Sequence, residues 1–190
     1  MAQEPRARNS HDLSRRNFLD RIVKISATGA GAAFLVGASS RTVEAATQEN
    51  WRLCSKCGVQ FFDGNPDKGR CPAGGGHAAL GFNYVLSYDV PETAQAQGAW
   101  RFCNKCNELF FGVDSQTGLC PAGGGHVAQG FTFVLPHDLP VSGAAQAGWR
   151  FCCKCNAMYF DGNRSKGRCP VGGGHLAQGF NFVLRHRVAT

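Results

Sequence analysis

The chain has 190 residues, enough for one domain of ordinary size or a string of very small ones, and carries 25 Gly and 10 Cys. Its formal charge is +7, of which residues 1–45 contribute +3 through seven Lys/Arg against four Asp/Glu. The other Lys and Arg are scattered rather than gathered into a basic stripe, which argues against nucleic acid as a partner.

The first organised stretch is Ser14-Arg15-Arg16-Asn17-Phe18-Leu19, an arginine pair followed by an apolar residue and a leucine. A moderately apolar run from Ile25 to Val36 follows, too short and too Gly-rich for a good membrane span. Val43-Glu44-Ala45 then offers small residues suited to cleavage, with Ala46 as a neighbouring option. In this order the three features resemble a twin-arginine (Tat) signal. The resemblance implies export from a bacterial or archaeal cytoplasm by the Tat translocase, to the periplasm or beyond, and takes residues 1–45 out of the fold. It also implies a cargo that is folded before export, so that thiols could bind metal in a reducing compartment first. No later segment could span a membrane, and an integral membrane protein is not expected.

From residue 46 onward one pattern is written three times. Trp51, Trp100 and Trp149 mark a period of 49 residues. Each is followed by Arg, an apolar residue and Cys-x-Lys-Cys, then by an aromatic pair: Phe61-Phe62, Phe110-Phe111 and Tyr159-Phe160. A polar turn leads to Cys-Pro-x-Gly-Gly-Gly-His, and each copy closes on Gly-Phe-x-aromatic-Val-Leu. These short aromatic and β-branched runs, bounded by Gly, Pro, Asn and Asp, are strand signals, and no helical spacing is sustained outside the signal. The domain reading is therefore a signal over 1–45 and repeats over 46–99, 100–148 and 149–190.

Three cysteines and one histidine recur at fixed offsets in each copy. The candidate ligands are Cys54, Cys57, Cys71 and His77; Cys103, Cys106, Cys120 and His126; and Cys152, Cys155, Cys169 and His175. An odd number of cysteines per repeat strands one thiol if disulfides form within repeats. Three single thiols also cannot pair symmetrically between repeats. Cys-x2-Cys lets two thiolates grip one ion from a tight turn, and Cys3His is a usual closed zinc set. Three structural Zn2+ ions are the expectation, with iron–sulfur ligation and electron transfer as the alternative. Nine thiolates around three divalent ions would bring the charge beyond residue 45 from +4 to about +1.

Several other features read as structural. The glycine runs follow no strand-to-helix pattern and suit a ligand loop better than a phosphate cradle. The tryptophans read as core rather than as sugar-stacking platforms. Lys56, Lys105 and Lys154 could serve the adjacent thiolates or be solvated turn residues. Cys153, aligned with Ser55 and Asn104, is a candidate free or intermolecular thiol, with a tolerated substitution as the favoured reading.

The internal linkers, 87–99 and 136–148, have 13 residues each, whereas five residues precede Trp51 after Ala45 and six follow Leu184. The two tails together approach one linker, as they would if the termini met around a three-fold axis. An all-β, pseudo-three-fold, β-trefoil-like arrangement is favoured, with tandem zinc-ribbon-like modules as the alternative. No catalytic constellation stands out. The repeat resembles the cysteine-rich repeats of secreted bacterial proteins, a resemblance that carries no named activity. The expected role is a non-enzymatic binding module for an extracellular or cell-envelope ligand such as carbohydrate. If the Tat reading holds, replacing Arg15 and Arg16 together by Lys traps the precursor in the cytoplasm, visible by fractionation and immunoblotting; unchanged export would refute it.

Overall fold

The computed structural model describes residues 45–113 and 115–187. The twin-arginine stretch and the apolar run behind it lie outside the described residues. Within them the chain forms nine strands and no helix. The first repeat supplies β1 (Thr47–Cys54), β2 (Gln60–Phe62) and β3 (Ala79–Tyr88). The second supplies β4 (Ala96–Cys103), β5 (Leu109–Phe111) and β6 (Ala128–Pro136). The third supplies β7 (Ala145–Cys152), β8 (Met158–Phe160) and β9 (Ala177–Arg187).

In every repeat the first strand pairs antiparallel with both the second and the third. Trp51 faces Phe62 on one side and Tyr84 on the other; Trp100 faces Phe111 and Phe133, and Trp149 faces Phe160 and Phe182. The residue before each tryptophan lies in the left-handed region, at Asn50, Ala99 and Gly148 (φ 66°, 60° and 89°), where the pairing with the third strand shifts register. This bulge turns the tryptophan into the core.

The third strands join the repeats. The end of β3 pairs with β6 at Tyr88↔Phe133, His137 after β6 bridges Phe182 in β9, and the end of β9 returns to β3 at Tyr84↔His186. The circuit is repeated in the core, where Trp51 meets Phe133, Trp100 meets Phe182 and Trp149 meets Tyr84, with ring centroids 5.1, 5.1 and 5.0 Å apart. All three tryptophans are fully buried. At about 200 Å² each, their burial stabilises the fold by on the order of 5 kcal/mol apiece as an upper estimate. The first and last strands come together as the linker count suggested, with Arg187 pairing with Glu49 at 2.6 Å. The sheet is thus nearly closed, and the described residues form one compact unit rather than independent modules.

A second ring of contacts closes the same circuit through backbone. Gly69, Gly118 and Gly167 have φ of 65°, 64° and 65°. A Cβ on Gly69 would lie 2.2 Å from Cys106 O, one on Gly118 2.2 Å from Cys155 O, and one on Gly167 1.8 Å from Cys57 O. Each glycine therefore lets its repeat press against the second ligand cysteine of the next. Gly118→Ala is expected to lose on the order of 3 kcal/mol, combining overpacking with left-handed strain. Gly123→Ala, with φ 95° but open space around its Cβ, should lose only about 1 kcal/mol from strain alone. Denaturant unfolding of the two variants checks the difference.

Candidate metal centres

The first two ligands of each set are presented by the end of a strand and the tight turn after it. In the first repeat Gly58 N–H donates to Cys54 O at 2.9 Å, and Cys54 N–H to Val59 O at 2.9 Å. The residue after the second cysteine takes a left-handed conformation, as Gly58, Asn107 and Asn156. Both asparagines use the side chain as well: Asn107 Nδ2 donates to Asp67 O at 2.7 Å, and Asn156 Nδ2 to Gln116 O at 2.8 Å, each reaching the preceding repeat.

The third and fourth ligands come from the glycine loop. Cys71 N–H donates to Gly75 O, Cys120 N–H to Gly124 O and Cys169 N–H to Gly173 O, which curls the loop back on its own cysteine. The lysine between the first two ligands fastens the loop. Lys56 Nζ donates to Gly74 O at 2.6 Å, Lys105 to the carbonyls of Gly123 and Gly125, and Lys154 to those of Gly172 and Gly174. These lysines are neither thiolate partners nor idle turn residues. They tie the two halves of each ligand set together.

The result is three clusters, each with three Sγ atoms and one ring nitrogen, all ligand atoms lying within 4.8 Å of one another and all twelve residues buried. The ten cysteines are free, and Cys153 alone among them is exposed. Cys54 and Cys71 sulfurs are 4.0 Å apart and those of Cys103 and Cys120 3.9 Å. Nδ1 of His77, His126 and His175 lies 3.5, 3.4 and 3.5 Å from Sγ of Cys57, Cys106 and Cys155. A tetrahedral ion with ordinary Zn–S and Zn–N bonds would separate its ligands by about 3.8 Å (S···S) and about 3.6 Å (S···N). Disulfides would need about 2.05 Å. The clusters therefore suit three bound metal ions, and Nδ1 is the atom that each histidine turns to the sulfurs.

Electrostatics point the same way. Hydrogen bonds from Cys57 and Cys71 draw the Cys54 thiol far below its usual range, as Cys106 and Cys120 do for Cys103. Cys152 is drawn down to about 3, chiefly by Cys155. The second thiol of each set moves the opposite way: Cys57 is raised first by its bond to Cys54, Cys106 first by burial, and Cys155 first by its bond to Cys152. Three touching thiols cannot all ionise while buried without a cation among them.

The aromatic pair has a divided role. Its first member stacks on the ligand histidine of its own repeat, with centroids 4.8 Å apart for Phe61–His77, 4.7 Å for Phe110–His126 and 4.9 Å for Tyr159–His175. Its second member packs on the repeat's tryptophan at 5.4, 5.4 and 5.3 Å. Metal ligands and core are thereby joined through one dipeptide.

Sequence reasoning missed Glu108. It is fully buried, and its counterparts at the 49-residue spacing are Val59 and Ala157. Its Oε1 lies 3.7 Å from His77 Nε2 and its Oε2 3.9 Å from His126 Nε2, and neither oxygen has a hydrogen-bond partner. Burial pushes its carboxyl well above the usual range, with the charges of Cys103 and Cys54 adding to the effect. A search for recurring carboxylates could not find a group that occurs once. The available signal was the reverse, a single acid where the other copies are apolar.

No family model matches the chain, and no curated protein or solved structure shows significant similarity to it. Because metal binding and folding are coupled, Cys120→Ser should lower the metal count by one and destabilise the middle repeat by several kcal/mol, on the order of the loss of a structural ligand. Native mass spectrometry and thermal melting read both effects.

Proposed function

We propose that the chain is an exported, non-enzymatic binding module whose Cys3His centres hold three structural zinc ions and whose ligand is a carbohydrate of the cell envelope or the extracellular medium. The observation that carries this reading is the closure of each centre: four buried protein ligands at tetrahedral spacing leave no coordination position for a water or substrate. The sulfur separations of 3.9 and 4.0 Å favour one ion per centre over a cluster of several.

The carbohydrate part is supported by the seam between the first and second repeats. A cleft of about 310 Å³ there is lined by Phe62, Phe102 and Phe131 together with Gln48, Asn65 and Gln129. No charged side chain lines it. Aromatic surface combined with amides suits a neutral ring that has apolar faces and hydroxyl edges. The second seam keeps the three phenylalanines and both glutamines, as Phe111, Phe151, Phe180, Gln97 and Gln178. At the third, Leu53 and Leu80 stand where Phe102 and Gln129 stand at the first, and the Tyr84 hydroxyl donates to Gln146 Oε1. The second seam therefore carries the same aromatic and glutamine set, with Asp114 in place of Asn65, and the third does not.

Elemental analysis of the purified protein should return three zinc ions per chain. Iron with visible colour would favour the electron-transfer alternative, and oxidised thiols without metal would end both. On an array of neutral glycans the zinc protein should bind, and Phe131→Ala should weaken binding about ten-fold through the loss of one stacking partner. Silence across the array would remove the carbohydrate while leaving the zinc reading intact.

A further inference from the structure

The three ligand sets are alike, but what surrounds them is not. Each histidine turns Nδ1 to its thiols, so Nε2 carries the ring proton once a metal is bound, and that N–H points away from the metal toward the neighbouring repeat. A buried imidazole N–H in this position ordinarily meets a carboxylate or carbonyl, which fixes the ring and raises its basicity as a ligand.

Only one carboxylate is available among the described residues that face these rings. Glu108 follows the first ligand pair of the middle repeat, and its backbone bridges Phe61 of the first repeat. That placement sets its side chain between two ligand histidines, with one oxygen toward each. His126 Nε2 also has Cys155 O at 3.2 Å. Neither His77 Nε2 nor His175 Nε2 makes a hydrogen bond, but His77 has a carboxylate oxygen 3.7 Å away. The residue corresponding to Glu108 in the first repeat, against which the third repeat packs, is Val59.

We propose that Glu108 is a shared outer carboxylate that faces the Nε2–H of both His77 and His126, closing on His77 and adding to the Cys155 carbonyl at His126 once metal is bound, so that the first and second metal centres are coupled into a pair and the third is left independent and more readily emptied. The proposal rests on the metal reading of the three clusters. Its chemistry is that of a charge-assisted hydrogen bond in a dry interior, where a carboxylate oxygen without a donor is costly. A metal on Nδ1 of either histidine fixes the tautomer that gives Glu108 a donor. Loading one centre of the pair therefore prepares the acid for the other. His175 receives no such support. Glu108 is a positioning residue in this scheme, acting on the metal through the two rings.

The test is stepwise removal of zinc from the full chain by a chelator, followed by native mass spectrometry. The wild type should lose one zinc first, accumulate a two-zinc species, and then lose the remaining two together. Independent loss of three equivalent ions would overturn the proposal; a protein that never held metal would instead overturn the reading beneath it. Glu108→Val and Glu108→Ala introduce the residues that the first and third repeats carry at this place. Each should still take up three zinc ions, but with affinity at two centres reduced about 10- to 100-fold, so that the two-zinc species no longer accumulates and a one-zinc species appears. Glu108→Gln, whose amide oxygen still accepts, should restore part of the difference. A variant that keeps the wild-type order of loss would refute the coupling. Nitrogen-detected NMR of the wild-type histidines gives a readout that needs no variant. The Nε2–H signals of His77 and His126 should be shifted downfield and exchange more slowly than that of His175, and three equivalent signals would refute the proposal.

Discussion

Three thiols and an imidazole held in mutual contact, out of water, form an arrangement that only a cation makes comfortable, and the rest of this protein is built to keep that arrangement in place. The strand before the first cysteine delivers it, the left-handed residue after the second closes the turn, and the glycine loop returns the last two ligands. The Cys-x-Lys-Cys lysine locks loop to turn through backbone carbonyls. Because Phe61, Phe110 and Tyr159 stack on the ligand histidines while their neighbours pack on the tryptophans, disturbance at a metal centre reaches the core directly.

No repeat can do this alone. A unit of about 49 residues has little interior of its own, and here each tryptophan is covered by the third strand of the next repeat. The left-handed glycines at 69, 118 and 167 allow backbone to approach backbone at the same joints. Metal centres and core are therefore assembled by the ring as a whole, and the three-fold closure is a requirement of burial.

Repetition also separates scaffold from specialisation. Ligands, tryptophans, loop glycines and fastening lysines are the same in every copy, and all serve the fold. The differences fall where repeats meet: Glu108 against Val59 and Ala157, and Phe102 with Gln129 against Leu53 with Leu80. These positions give the metal centres unequal surroundings and the seams unequal surfaces. Individual character is written at the joints.

The sequence by itself determined the all-β class and the recurrence of three Cys3His groups, because periodic spacing of Cys, His, Gly and Trp reflects local geometry that each copy must satisfy. It also suggested closure, since the two tails together approximate one linker, and the Glu49–Arg187 pair now stands at that junction. Tertiary structure alone decided what crosses from one repeat to the next. That Gly118 touches Cys155 O, that the lysines bind loop carbonyls, and that one acid lies between His77 and His126 are long-range facts. They depend on how three units pack around an axis, and a pattern that repeats along the chain carries no record of which copy faces which.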